Sequence, residues 1–185
     1  HACCAPCSSY TIEYLSQFFR ITLFYYNPNI APAEEYHHRV NEIKRFVEEF
    51  KTKHPVTLIE GDYDPKKFYE VARGLEQEPE GGKRCRKCFE LRLAESARLA
   101  KELNADYFTT TLTISPMKDA QVLNEVVQEQ CDIHGIKRLP SDFKKKGGYK
   151  RSIQLSHEYN LYRQNFCGCV YSMREAEKKA GQQAD

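Results

Sequence analysis

The sequence predicts an α/β protein, built as a three-layer parallel sheet with helices on both faces. Runs of β-branched and aromatic residues, typical of buried strands, alternate with segments whose apolar residues recur at helical spacing. This alternation is typical of parallel sheets that are covered on both faces. A second observation agrees with it. Groups of cysteines fall at the predicted strand-to-helix junctions, which is where such sheets bind their ligands.

Length and composition indicate one domain, 1–185, of ordinary globular balance. Of the 185 residues, 41% are hydrophobic and 29% are charged. No apolar run reaches the roughly 18 residues of a membrane-spanning helix, so we expect no membrane partner. The net charge is only +2, so a nucleic-acid surface would have to come from local clusters of basic residues.

The first half of the chain predicts three helices and two strands. Ser8 or Ser9 is expected to cap a helix over 10–19. Strands follow at 20–27 and 56–60, on either side of a long helix over 32–53, and a short helix ends near Arg73. The predicted apolar stripe of the first helix is Tyr10, Tyr14, Leu15 and Phe18. The predicted inner face of the long helix is Tyr36, Val40, Ile43, Phe46, Val47 and Phe50.

The second half begins with a loop over 74–83, which is rich in Glu, Gly and Pro and leads into a helix from Cys85. A strand over 107–112 and a helix over 119–131 follow, and Gly135 ends that helix. Residues 136–148 predict a short strand and a basic loop, 149–159 a helix, and 161–170 a strand or loop. A last helix begins at Ser172, and we expect its tail, about 181–185, to be flexible.

Seven of the eight cysteines lie in three tight groups, whereas the frameworks of secreted proteins scatter their cysteines. This clustering favours a reducing cytoplasm and metal or redox chemistry. The exception, Cys131, has no cysteine near it and is interpreted as a core residue.

Cys3, Cys4 and Cys7 form the first group. Adjacent cysteines cannot close an ordinary disulfide without severe strain, so these thiols are better interpreted as ligands for a soft metal. They lie just before a predicted helix, whose N-terminus favours thiolates. A glycine-rich phosphate-binding loop is absent from this junction, which argues against phosphate binding.

Cys85 and Cys88 form the second group, with C-x-x-C spacing. Such a pair alone is compatible with zinc, an iron–sulfur cluster or dithiol chemistry. Joined to Cys3 and Cys4 it supplies four thiolates, which fit a [4Fe–4S] cluster or a structural zinc. Four basic neighbours would offset the negative charge of either one, namely Lys83, Arg84, Arg86 and Lys87.

Cys167 and Cys169 form the third group, with C-x-C spacing around Gly168. Their disulfide ring would be small and strained, and therefore easily reduced, and glycine allows the tight turn. This favours a two-electron redox couple, although further metal ligands or inert thiols stay open as alternatives.

Basic and aromatic residues interleave near the end of the chain, so that cations for phosphates and rings for stacking are both available. The candidate nucleic-acid-binding residues are Lys150, Arg151, Tyr162 and Arg163. A solvated surface is the alternative interpretation. Of the histidines, only His157 is kept as a candidate proton donor.

Several motifs, in order and almost from end to end, resemble the cobalamin-independent epoxyqueuosine reductases of the QueH type. They are His1-Ala-Cys-Cys-Ala-Pro-Cys7, Asn29-Ile-Ala-Pro32 with Glu35-Tyr36, Leu58-Ile-Glu-Gly-Asp-Tyr-Asp64, Arg84-Cys-Arg-Lys-Cys-Phe-Glu-Leu-Arg92, Asp106-Tyr-Phe-Thr-Thr-Thr-Leu112, Ser115-Pro116 with Lys118, Gly148-Tyr-Lys-Arg-Ser-Ile153, and Tyr162-Arg-Gln-Asn-Phe-Cys-Gly-Cys169. Compared with that family, the residues before His1 are missing, and we expect them to contain most of the first strand.

The resemblance implies reduction of the epoxide of epoxyqueuosine, at the wobble position of tRNA, to the alkene of queuosine. It implies cluster ligands at Cys3, Cys4, Cys85 and Cys88, a redox-active pair at Cys167 and Cys169, and a fold like that of the adenine-nucleotide α-hydrolases (the HUP fold). It leaves Cys7 outside the four-ligand set, as a candidate ligand of an additional iron ion or a thiol that faces the substrate. The electron donor is not identified by any motif.

Two other functions stay open at this point. One is a zinc-stabilised RNA-binding protein without redox catalysis, in which the C-x-C pair is structural. The other is a general thiol or electron-transfer protein with no RNA substrate.

Overall fold

The computed structural model describes residues 1–182 and shows an α/β protein of helices and short parallel strands. In chain order its elements are α1 (Ala5–Leu15), β1 (Ile21–Tyr25), α2 (Ala33–Glu49), β2 (Val56–Glu60), α3 (Pro65–Ala72), α4 (Lys83–Glu102), β3 (Tyr107–Phe108), a 3₁₀ helix (Thr111–Ile114), α5 (Ala120–His134), β4 (Lys137–Arg138), α6 (Gly148–Glu158) and α7 (Val170–Gln182). Gly181 and Gln182 lie at the end of α7. Residues 183–185, the rest of the predicted tail, lie outside the described residues.

The strands are parallel, as predicted, and within residues 1–182 they form two pairs rather than one wide sheet. Strand β1 pairs with β2 in the register Ile21↔Val56 to Tyr25↔Glu60, and β3 pairs with β4 through two residues each. Helical crossovers connect the two strands of each pair, as parallel pairing requires.

The N-terminal residues lie between the two strand pairs. Ala2 forms a parallel bridge with Tyr25 at the end of β1. On its other side, the backbone N–H of Thr111 donates to the His1 carbonyl oxygen at 2.9 Å, and the His1 amino group donates to Thr109 O at 2.9 Å. The first cysteines are thereby fixed at the carboxyl ends of both β1 and β3.

Helix α1 begins at Ala5, so the predicted start at residue 10 is wrong. Cys4 is extended (φ −169°, ψ 165°), and Pro6 lies in the first turn, where its fixed φ suits a helix and its missing N–H is not needed. Ser8 and Ser9 therefore lie inside the helix. Their hydroxyls donate to the carbonyl oxygens of Cys4 (2.8 Å) and Pro6 (2.9 Å) rather than capping the helix.

The apolar stripe predicted for this segment is confirmed at Leu15, and Tyr10 is partly buried against the same cluster, but the prediction is wrong for Tyr14 and Phe18. Tyr14 and Phe18 are 48% and 64% exposed, and Tyr14 instead packs between the rings of Tyr10 and Phe18. The buried face of α1 packs closely against α6 through small residues. At Gly148 on α6, a Cβ atom would lie 2.4 Å from the Tyr10 ring, so only glycine fits this approach.

The predicted strand over 107–112 is wrong beyond Phe108. Thr110 accepts a hydrogen bond from Leu112 N at 3.2 Å, and the chain then turns into the 3₁₀ helix. A threonine hydroxyl that bonds to nearby backbone competes in this way with the strand ladder. The segment 161–169 is a loop, which leads directly into α7.

Two apolar clusters make up most of the core. The predicted inner face of α2 is confirmed, since Tyr36, Val40, Ile43 and Phe46 are buried against β1. The second cluster lies between α4 and α5 and includes Leu93, Ala97 and Cys131, so the prediction that Cys131 is a core residue is confirmed. Among residues 1–182 there is no helix with the length and apolar character needed to cross a membrane.

Candidate metal and redox centre

Cys3, Cys4 and Cys7 are brought together by the start of a single helix. Cys4 immediately precedes α1, and Cys7 lies in its first turn. The three sulfur atoms all lie within 4.8 Å of one another, and those of Cys3 and Cys4 are 3.7 Å apart. We call these residues the N-terminal triad. Its spacing could hold a metal ion, and Cys7 belongs to it as closely as the other two cysteines.

The three thiols of the triad differ in their pKa values. Hydrogen bonds from the Cys4 and Cys7 thiols hold the pKa of Cys3 well below its usual value, in spite of burial. The same interaction raises the pKa of Cys4 to about 12 and raises that of Cys7. One thiolate thus faces two thiols, and a metal that binds all three must displace the remaining protons.

The other four clustered cysteines meet around a second point. Cys85 and Cys88 lie near the start of α4, and Cys167 and Cys169 lie in the turn before α7. All four line a small cavity of about 20 Å³, together with Asn29. We call them the interhelix group. Burial raises the pKa of Cys85 and raises that of Cys88 to about 12.

Arg92 connects the two groups. Its guanidinium is fully buried, donates to Asn27 Oδ1 and leaves Nε with no hydrogen-bond partner among the described residues. Burial alone would lower its pKa, but nearby Cys88 and Cys3 raise it, together with Cys167. Arg92 lies one helical turn after Cys88, so α4 presents both toward the same place.

Lys118 adds a second positive charge. It lines a cavity of about 300 Å³ beside the triad, which we call the main cavity. Burial alone would lower the pKa of Lys118, but Cys167, Cys3 and Cys7 raise it. Two of the basic residues expected to offset a cluster instead contact carboxylates: Arg86 pairs with Glu90 and Glu129, and Lys87 with Glu90. Arg84 binds backbone carbonyls of the 75–78 loop.

The turn that carries Cys167 and Cys169 is held rigidly. Arg39 is 1% exposed, forms an ion pair with Glu35 at 2.7 Å and donates to Cys167 O at 3.1 Å. Gly168 has φ +128°, and a Cβ atom there would lie 3.0 Å from both Arg39 Nη1 and Ile30 Cγ1. Glycine is therefore required here by backbone conformation and by space.

Cys169 lies at the start of α7 and bonds to it. The backbone N–H of Ser172 donates to Cys169 Sγ at 3.4 Å, and the Ser172 hydroxyl donates to Cys169 O at 2.9 Å. Cys169 is buried, whereas Cys167 is partly exposed. The outer thiol of the pair therefore faces the main cavity, and the inner one is held by the helix start.

The main cavity, of about 300 Å³, opens beside both cysteine groups. Cys3 and Cys7 line it from the triad, and Cys167 lines it from the interhelix group. The charged, polar and aromatic residues that line it include Arg92, Lys118, Tyr149, Arg163, Gln164 and Asn165. A cavity of this size, with convergent polar groups and perturbed thiols, is typical of an active site.

The predicted nucleic-acid-binding residues are dispersed around this cavity. Arg163 lines it, bonds to Ser156 Oγ at 3.1 Å and lies over the Tyr149 ring at 5.9 Å. Lys150 is exposed on α6. The other two are engaged elsewhere. Arg151 pairs with Glu13 and Glu158, and the Tyr162 hydroxyl donates to Glu35 at 3.4 Å.

His157 is exposed in the last turn of α6 and does not line any of the three cavities described within residues 1–182. The residues beside the cysteine groups to which the sequence analysis gave no role are Arg92, Lys118 and Arg39. Arg92 could have been found from its helical spacing to Cys88, whereas Arg39 and Lys118 reach the site from distant segments.

Comparison with known proteins identifies the family. A family model described as "Epoxyqueuosine reductase QueH" matches residues 1–175. A protein of that name from Streptococcus pyogenes serotype M1 is 51% identical over 94% of this chain and 69% of its own length. Its namesakes from Staphylococcus epidermidis and Thermotoga maritima are 48% and 32% identical, over 93% and 97% of this chain and 74% and 91% of their own lengths.

Proposed function

Since the chain belongs to the epoxyqueuosine reductase QueH family, we propose that it is an oxidoreductase acting in queuosine biosynthesis. It reduces the epoxide of epoxyqueuosine, at the wobble position of a tRNA anticodon, to the alkene of queuosine. The observation that carries this proposal is that both cysteine groups meet at one cavity of about 300 Å³, which Cys3, Cys7 and Cys167 line together with Arg92 and Lys118. A zinc-stabilised RNA-binding protein is not favoured, because it would not use a cysteine pair beside the cavity.

Cys167 and Cys169 match the reaction in electrons and protons. Conversion of an epoxide to an alkene and water consumes two electrons and two protons, and oxidation of two thiols to a disulfide releases the same numbers. Cys167 lines the cavity and Cys169 lies two residues away, so the pair supplies one turnover. An electron donor, which we leave unidentified, must then reduce the disulfide again.

We propose a [4Fe–4S] cluster as the cofactor, with Cys3, Cys4, Cys85 and Cys88 as its ligands. What supports this is the chemistry of the surroundings. Buried thiols with raised pKa values are stabilised as thiolates by metal, and the unpaired Nε of Arg92 fits an anionic group. When bound, such a cluster supplies single-electron transfer and a Lewis-acidic iron. We propose Cys7 as the ligand of an additional iron ion.

The tRNA would reach the cavity with its modified base turned out of the anticodon loop, as base-modifying enzymes require. Arg163 and Tyr149 at the rim offer a cation for phosphate and a ring for stacking. Lys150 extends the basic surface. Arg151 and Tyr162 stay candidates for the same interface, although each already has partners within the protein.

We also propose that the strands belong to one parallel sheet like that of the adenine-nucleotide α-hydrolases. Residues 1 and 2 bridge the two pairs, which supports the spatial order β2, β1, 1–2, β3, β4. Between β1 and β3 lies a cavity of about 300 Å³, which no cysteine lines. The cytoplasm is the proposed location, because all eight cysteines are unpaired thiols.

The test is turnover of a defined substrate. Anaerobically purified, metal-loaded protein is reduced, freed of excess reductant and mixed with an anticodon stem-loop that carries epoxyqueuosine. We expect about one product per chain, because one dithiol supplies two electrons, and mass spectrometry should show the loss of one oxygen atom. Cys167→Ser should abolish this burst, whereas Cys131→Ala should keep it because Cys131 lies outside both groups. An unchanged stem-loop with loaded wild-type protein would refute the proposed function.

A further inference from the structure

Gln164 lies between the N-terminal triad and the main cavity. It belongs to the loop between α6 and α7, and its Nε2 is 3.0 Å from Cys4 Sγ. Its other polar atom, Oε1, is buried and has no hydrogen-bond partner among the described residues. Gln164 also lines the main cavity, beside Cys3 and Cys167. One side chain therefore contacts a sulfur atom of the triad and borders the space for the substrate.

The protonation state of Cys4 determines which end of the Gln164 amide faces it. As a metal ligand Cys4 is a thiolate, which accepts hydrogen bonds and cannot donate them, so the amide turns its N–H₂ group to Cys4. The carbonyl oxygen is then left on the opposite side. Because a buried carbonyl oxygen without a donor is unfavourable, this atom favours any ligand that brings an N–H or O–H group.

The neighbouring residues do not supply that donor. Arg163 donates to Ser156 Oγ and lies over Tyr149, and Arg92 donates to Asn27. Lys118 lines the same cavity, and the charge of nearby cysteines raises its pKa. The cavity is thus lined by cations and by one acceptor, Gln164 Oε1, that has no hydrogen-bond partner among the described residues. A ligand with a donor group would satisfy this acceptor.

We propose that Gln164 is a substrate-binding residue whose Oε1 accepts a hydrogen bond from a hydroxyl or protonated amine on the modified base. This inference rests on the proposed function and deepens it. The N–H₂ group of the same side chain donates to Cys4, so one residue positions the substrate and also stabilises the negative charge on a metal ligand. Donors to ligand sulfur raise the reduction potential of a metal centre.

The experiment compares two stem-loops on metal-loaded protein without reductant, one with epoxyqueuosine and one with guanine at the wobble position. Wild-type protein should bind the epoxyqueuosine stem-loop more tightly than the guanine stem-loop, and we call the ratio of the two affinities the preference. Gln164→Met keeps the length of the side chain and removes both polar atoms, so the preference should fall about tenfold. Binding of the guanine stem-loop should be unchanged. The matched control is Gln154→Met, the same substitution at an exposed site on α6, and it should keep the preference.

Gln164→Glu separates the two halves of the proposal. It keeps an acceptor toward the cavity, so the preference should stay within about threefold of wild type. It also faces Cys4 with a carboxylate oxygen, so the midpoint potential of the metal centre should fall in a redox titration. The potential of Gln164→Met should fall as well, because its hydrogen bond to sulfur is lost.

Two results would overturn the inference: an unchanged preference in Gln164→Met, or a preference lost as fully in Gln164→Glu as in Gln164→Met. The proposed function fails separately, if wild-type protein neither prefers nor reduces the epoxyqueuosine stem-loop. Wild-type turnover combined with an unaffected Gln164→Met would remove only the role of Gln164.

Discussion

The two cysteine groups differ in what holds them together. The N-terminal triad comes from five consecutive residues, and the backbone at the start of α1 brings its sulfur atoms within 4.8 Å of one another. The interhelix group joins residues that are about 80 positions apart. It depends on contacts between elements, such as the packing of Arg84 on α4 over the Tyr171 ring on α7 at 4.5 Å.

Substitutions far from the site should therefore disturb the interhelix group and leave the triad intact. The triad is a local structure that any fold placing His1 and Ala2 correctly will form. The arrangement of the interhelix group depends on tertiary packing. Such packing can fix the two thiols of a redox pair relative to a metal centre and a substrate.

The largest effect is expected from Arg39→Met, which breaks the buried support of the Cys167–Cys169 turn. It leaves Glu35 without its partner in an ion pair in which the arginine is 1% exposed. We expect a loss of about 3 kcal/mol in the free energy of unfolding, measured with denaturant. The control is Arg45→Met, because Arg45 is 39% exposed and pairs with Glu49 at the surface. This variant should lose less than about 1 kcal/mol in the free energy of unfolding. Equal losses in the two variants would contradict this role of Arg39.

Gly168→Ala should have the next largest effect. An alanine at φ +128°, with its Cβ 3.0 Å from Arg39 Nη1, should cost about 1–3 kcal/mol of stability. Turnover should fall more than stability explains, since the cysteine turn itself is displaced. Gly181→Ala, where nothing lies within 4 Å, should change stability by less than about 0.5 kcal/mol. Wild-type turnover by Gly168→Ala would show that the turn is not constrained.

Alkylation of the metal-free protein compares the two groups directly. Cys3 and Cys85 are both partly exposed, but the pKa of Cys3 is held well below its usual value by hydrogen bonds, and that of Cys85 is raised by burial. At neutral pH a larger fraction of Cys3 than of Cys85 is therefore thiolate, so Cys3 should react faster with iodoacetamide. The difference should shrink as the pH rises, because Cys85 then also loses its proton. Faster reaction of Cys85 at pH 7 would contradict these assignments.

The smallest effect is expected at the rim of the cavity. Arg163→Ala should weaken tRNA binding a few-fold and reduce the slope of log K against log[salt] by about 0.7, as for one lost phosphate contact. Arg151→Ala should change the slope less, because Arg151 is paired with Glu13 and Glu158. An unchanged slope in Arg163→Ala would remove this residue from the interface.

Most of the correct predictions came from local patterns in the sequence. Helical spacing identified Tyr36, Val40, Ile43 and Phe46 as buried, and the absence of neighbouring cysteines placed Cys131 in the core. The same reasoning misplaced the start of α1, because the serines were given more weight as caps than Pro6 as a first-turn residue. The stripe through Tyr14 and Phe18 had helical spacing, but these rings pack on one another at the surface.

The cysteine motifs were visible in the sequence, but their partners were not. Spacing grouped Cys7 with Cys3 and Cys4, but it could not show that Cys167 and Cys169 meet Cys85 and Cys88. Arg39 and Gln164 act through contacts with residues more than 100 positions away. Contacts of that kind follow from how the elements pack, which hydrophobic periodicity does not determine.

The central claim is that Cys3 and Cys4 of the triad and Cys85 and Cys88 of the interhelix group hold one iron–sulfur cluster, while Cys167 and Cys169 stay free for redox chemistry. The most direct test is the iron and sulfide content of anaerobically reconstituted wild type, Cys4→Ser, Cys88→Ser and Cys167→Ser. We predict about four sulfides per chain in the wild type, with four irons in the cluster and one additional iron at Cys7. The cluster should be lost in the Cys4 and Cys88 variants and retained in Cys167→Ser. A colourless wild-type protein with one zinc, or a cluster lost in Cys167→Ser but kept in Cys88→Ser, would contradict the claim.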